Sequence, residues 1–258
     1  MSTGWFVLKK QHKMNEIPDD PLLMPPPYWR GSSAIWHIND GLSELAEKLK
    51  ALESAYEIQE ERLELFYLQN PSLVEDEDSL VQSDEFWDIV SDSLKLSEQI
   101  KLRVEGTIVM AAIDVEENIN MVCVYNLRRE MTEIIEKLSP IEKFVILGSV
   151  LTNSNVKGTS EYGELQKLMK YRNTFAHGHN TDRPVKSLQH NHLIHPEQYS
   201  SLPEELERLK EYMRGYFRIN QFVRSMSKNE YASGNSGDED DLKPILEKIA
   251  SYTFVSEE

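Results

Sequence analysis

From Leu42 to Ser139 the chain contains one proline, Pro71, and one glycine, Gly106. A stretch so poor in backbone breakers has few places to turn, and the spacing of its apolar residues then decides what it forms. Leu42, Leu45, Leu49, Leu52, Tyr56, Leu63 and Phe66 recur near helical spacing, which predicts a helix over 32–69 stopped by Asn70-Pro71. Beyond the acidic stretch EDEDSLVQSDE a second helical region is expected over 84–138, closed by Ser139-Pro140. It reads as one long helix or two in line, with Gly106 its one internal weak point.

The segment SPIEKFVILGSVL predicts a short helix and TNSNVKGTSEYG a loop. A helix follows over 164–177, ended by Gly178 as a left-handed cap. Residues 203–226 form a strongly patterned helix, 227–241 read as a flexible linker, and 242–254 as a last short helix. No stretch reads as a strand and no repeat is visible, so the expected class is all-α, a helical bundle. Five of the eleven prolines fall in residues 1–31, which predicts an extended arm there. The expected organisation is therefore an arm over 1–31, a helical domain over 32–226, and a linker with a short helix over 227–258.

Charge narrows the partners. The formal net charge of −16 repels polyanions at long range and counts against general binding to DNA or an anionic membrane. Basic residues are nonetheless concentrated locally, with Lys167, Lys170, Arg172, Arg183 and Lys186 in one window and Arg208, Lys210, Arg214, Arg218, Arg224 and Lys228 in the next. The single cysteine, Cys123, can form no internal disulfide and no cysteine-rich zinc site, which fits a reducing compartment. No apolar run approaches the roughly 20 residues of a membrane span. A cytoplasmic protein is the expectation.

The stretch KYRNTFAHGHN joins a basic, titratable cluster to the apolar side of a helix. At about 100° per residue, Leu165, Leu168, Met169, Phe175 and Ala176 share one stripe, and Arg172 falls inside it. A guanidinium placed there must find acceptors or snorkel outward, because an unpaired buried charge costs several kcal/mol. Asn173 and His177, four apart, flank the same stripe. His177 lies in the last turn, where unpaired carbonyls favour a protonated imidazole, and histidine ordinarily titrates near pH 6.5. Arginine stays charged and grips two phosphate oxygens at once. Together these groups suit cleavage of RNA by its own 2′-hydroxyl without a metal.

Arg172-Asn173-Thr174-Phe175-Ala176-His177 resembles the motif of the HEPN family (higher eukaryote and prokaryote nucleotide-binding domains), an arginine, often followed by asparagine, then a short spacer and histidine. Arg183 and His190, with six residues between them where Arg172 and His177 have four, also fall within the four to six that the motif permits, so the first match is singled out by its helix, by Asn173 and by Gly178. The resemblance extends backward through LSPIEKFVILGSVL and YGELQKLMKYRNTFAHG to EENIN, covering residues 105–226. It implies a helical HEPN-like core and a metal-independent endoribonuclease or RNA-binding relative, often a toxin or antiphage effector. His177 would act as acid or base, Arg172 would stabilise the transition state, and Asn173 would orient the pair. Glu116 and Asn120 would be the supporting acid and amide, although periodicity places Asn118, and neither of those two, on the stripe of Ala111, Val115 and Val122. Lys170, His179, Arg183, Arg214 and Arg218 would meet RNA. A two-fold homodimer would bring two motif copies to one cleft, and an antitoxin or defence-system partner is implied.

Other readings stand beside this one. The resemblance equally allows a catalytically silent module that binds RNA, a nucleotide or a protein. His179, His190, His192 and His195 can be read as metal ligands, although an irregular loop fixes no coordination geometry and no cysteine joins them. The favoured reading calls for no cofactor and no metal. Lys210, Arg214 and Arg218 form a row that is either a phosphate track or the solvated side of an amphipathic helix.

Overall fold

The computed structural model describes residues 33–71, 80, 82–177, 201–228 and 236–252. Among them are seven α-helices and no strand, as the spacing of apolar residues predicts. Helix α1 spans Ser33–Gln69 and α2 spans Asp84–Asn126. At 37 and 43 residues they run about 55 and 65 Å. They form an antiparallel hairpin, because the partners on α2 recede toward its start as α1 advances: Glu44 with Arg103, Lys48 with Gln99, Gln59 with Ser93, and Phe66 with Phe86. Gly41 permits the close approach near the base of this pair, where a Cβ would lie 2.6 Å from the Thr107 hydroxyl.

Gly106 does not break α2. A glycine costs a helix about 1 kcal/mol relative to alanine, and Val104, Thr107 and Ile108 around it are all buried, so packing overrides the local preference. Ser83 caps the start of α2, its hydroxyl accepting from the Phe86 N–H at 3.3 Å. The chain then turns through short α3, Arg129–Ile135, before α4, Pro140–Leu151. Both α4 and α6, Leu202–Met226, begin with serine, proline and glutamate arranged as a capping box, on Ser139 with Glu142 and on Ser201 with Glu204. Helix α5 is Ser160–His177 and α7 is Ser236–Ala250. The segment expected as a linker over 227–241 is thus shorter than predicted, since α7 starts at Ser236. The proline-rich arm, residues 1–31, lies outside the described residues.

The main core is assembled around α2, which touches α1 on one side and α4, α5 and α6 on others, while α7 closes against α1 and α6. Ile108, Ala111, Val115, Ile119 and Val122 of α2 meet Leu165 and Leu168 of α5 and Leu209, Tyr216 and Ile219 of α6 in one cluster. Cys123 is buried in it, and burial pushes its thiol up to about 11, so it is no nucleophile near neutral pH. A second, smaller cluster at the far end of the hairpin gathers Phe66, Ile89 and Val90 with Leu63, Tyr67 and Phe86.

Gly148 of α4 faces Val156, the first residue of a short 3₁₀ turn, Val156–Gly158. An added Cβ would overlap the Val156 side chain, which is 1 % exposed and stiff at χ1. Gly148→Ala is therefore expected to destabilise the fold by about 1–3 kcal/mol in urea unfolding. In a double-mutant cycle, Val156→Ala should relieve much of that cost, and strict additivity would remove the explanation.

Candidate functional site

Helix α5 carries the motif. Its first half is anchored by Leu165, Leu168 and Met169, all buried. The last turn stands clear of the core, with Phe175 51 % exposed and Ala176 exposed as well. The apolar stripe expected to run on through these two residues therefore ends near Tyr171, which is half-buried and whose ring lies 5.0 Å from that of Tyr212.

Arg172 sits where core gives way to solvent. Its Nη1 donates to the carboxylate of Glu116 on α2, and the two side chains are 22 % and 30 % exposed. Its Nε and Nη2 both donate to Asn173 Oδ1, at 3.3 and 3.1 Å. These bonds engage three of the five guanidinium N–H groups and hold its plane in one orientation. His177 is the final residue of α5. Its imidazole lies outside the described structure, as do His179, Arg183 and the loop histidines His190, His192 and His195.

The periodicity conflict on α2 resolves in the packing, because α2 is covered on several sides and each polar residue serves a different neighbour. Glu116 turns to α5. Asn118 turns to α6, its amide donating to Asp114 Oδ2 at 2.9 Å and to Asn220 Oδ1 at 3.2 Å. Asn120 turns to α4, where it accepts from the Nζ of buried Lys143 at 2.8 Å. Glu116 thus joins Arg172 and Asn173, while Asn120 is engaged elsewhere. Sequence reading did not pick out Lys143, a lysine in an apolar helix; that misplaced charge was the available signal.

The basic residues are largely paired. Arg218 Nη1 donates to Glu164 Oε1 at 2.8 Å, Lys210 Nζ to Glu207 Oε2 at 3.1 Å, and Lys167 Nζ to Glu211 Oε1 at 3.0 Å. The bond to Glu211 raises the Lys167 ammonium above its ordinary value. Lys170 and Arg214 are exposed. In the row Lys210, Arg214, Arg218 two members therefore answer carboxylates of the same bundle, which lowers the positive field that the local sequence count suggests. Beside the motif, burial raises the Tyr171 phenol, with Glu105 adding to the shift, so Tyr171 stays protonated and cannot take a proton near neutrality.

Fold and site together define an all-α bundle with a half-buried arginine, clamped by a carboxylate and an amide, one turn or so before a histidine that ends its helix. No family model matches the chain, and neither a curated protein nor a solved structure is significantly similar to it. Among the described residues no helix is long and apolar enough to cross a membrane.

Proposed function

We propose that the chain is a metal-independent endoribonuclease of the HEPN type, acting as a homodimer and serving as a toxin or antiphage effector in the cytoplasm. The observation that carries this reading is the clamp on Arg172: Glu116 and Asn173 fix a guanidinium at the edge of solvent on the helix that His177 ends. Among the described residues, two of its N–H groups are left beyond those bonds, the number needed to fork onto a phosphate. The exposed apolar Phe175 and Ala176 give this end of α5 a surface suited to self-association about a two-fold axis.

In such a dimer two imidazoles flank one phosphate. A neutral one takes the proton of the ribose 2′-hydroxyl, O2′ bonds to phosphorus, and the P–O5′ bond breaks. The second imidazole, protonated, gives its proton to the departing O5′, leaving a 2′,3′-cyclic phosphate and a 5′-hydroxyl. Arg172 lies against the negative charge that builds on the non-bridging oxygens. In this reading the second proton-transfer group comes from the other subunit's copy of the motif.

A silent binding module is the second reading, favoured by the same pair, since the Glu116 carboxylate already neutralises Arg172. Purified full-length protein incubated with total cellular RNA in EDTA decides between them. Fragments ending in cyclic phosphate are expected, and intact RNA over a range of protein concentrations would leave only the binding reading.

A further inference from the structure

Helix α1 is longer than the core requires. Leu52 is its last residue in the main cluster, yet the helix continues to Gln69, tethered to α2 over its final turns by the small cluster around Phe66. On the side turned away from α2, Ala51, Ser54, Ile58, Glu61, Leu65 and Leu68 are all exposed. Their spacing alternates three and four residues, the a and d positions of a heptad seam. Ile58, Leu65 and Leu68 are 58, 58 and 78 % exposed, so three large aliphatic side chains stand in water along a single line. An apolar line on a solvated helix marks a surface that another helix covers.

Charge selects the occupant. Glu53, Glu57, Glu60 and Glu64 form an exposed acidic row along one flank of the seam, and Glu61 lies within it. A second copy is disfavoured in either direction. Parallel pairing sets Glu61 against its own copy inside the seam, and antiparallel pairing sets Glu57 and Glu64 against their copies. RNA is excluded by the same carboxylates. We infer that the outer face of the distal half of α1 is a docking seam for an amphipathic helix of a partner protein, basic along one flank and with a lysine or arginine facing Glu61. The seam is independent of the RNA-cleavage reading. It fits a partner that binds the hairpin without touching the Arg172 end.

Synthetic helical peptides about three heptads long test this against the full chain by fluorescence anisotropy. One carries leucine at the seam positions, lysine along one flank and lysine facing Glu61; a second replaces those lysines with glutamates. The basic peptide is expected to bind at least about tenfold tighter. Leu65→Ser should weaken it by about tenfold with the helical signal unchanged, and Glu61→Lys should shift preference toward the acidic peptide. Equal binding of the two peptides, no binding of either, or indifference to Leu65→Ser overturns the inference. So does a dimer that Leu65→Ser dissociates, which would assign the seam to a second copy.

Discussion

Substituting alanine for His177 is expected to slow RNA cleavage by about a thousandfold or more while the protein remains folded and dimeric. A positioned acid or base contributes roughly 10²–10⁴ to such a reaction, and in the proposed dimer the substitution removes both proton-transfer groups at once. Arg172→Ala should cost about 10²–10³ by withdrawing the charge that meets the phosphate oxygens. Arg172→Lys should recover little of this, because an ammonium cannot fork between Glu116, Asn173 and a phosphate together. Arg172→Ala has a structural consequence that His177→Ala does not share, since it leaves the Glu116 carboxylate, 30 % exposed, without its cation. Glu116→Gln separates the two effects. It keeps an acceptor for Nη1 but removes the negative charge, so stability should change by less than about 1 kcal/mol while the more positive site grips phosphate at least as well. Single-turnover cleavage of one labelled RNA, with melting temperatures taken in parallel, provides the readout. Wild type and His177→Ala cutting at the same rate would end the proposal.

The residues that announced the fold differ in kind from those that form the site. Long helices were legible because burial has a period: Leu42, Leu45, Leu49 and Leu52 are all in the core. Helix starts were legible in Ser139-Pro140 and could have been read equally well in SLPEE, where Ser201 and Glu204 cap each other. What one dimension hides is how many neighbours a helix has. Periodicity assigns α2 a single buried face, but a helix packed against α1, α4, α5 and α6 has polar residues answering several partners. Hence Asn118 on the stripe is no contradiction of Glu116 off it. The overhang of α5 was hidden for the same reason, because Phe175 continues the stripe in sequence after its neighbours in space have run out. Charge counts fail similarly: Arg218 and Lys210 are basic in the sequence but matched by Glu164 and Glu207 in the fold.

Asp114→Ala is expected to cause the largest loss of stability among the substitutions considered, about 3–5 kcal/mol in urea unfolding. Asp114 is 6 % exposed, and its Oδ2 accepts from the Tyr216 hydroxyl at 2.9 Å, the Asn118 amide at 2.9 Å and the Asn220 amide at 3.2 Å. Removing the carboxylate takes one shared acceptor from three donors in a region where Tyr216 and Asn220 are fully buried and water cannot readily replace it. A graded series isolates the cause. Asp114→Asn keeps an oxygen in place without the charge and should cost about 1–2 kcal/mol, and Tyr216→Phe, which deletes one donor of the three, about 1 kcal/mol. The network also reaches the site. Asp114 and Glu116 are two residues apart and therefore about 200° apart around α2, so tying Asp114 and Asn118 to α6 sets the rotation that turns Glu116 toward α5. Asp114→Asn, under conditions where it is fully folded, should thus loosen the Arg172 clamp and slow cleavage by a few-fold, whereas Gly148→Ala, equally destabilising but remote from this contact, should not. An Asp114→Ala protein within 1 kcal/mol of wild type would mean that the three donors find other acceptors and that α2 is oriented by apolar packing alone.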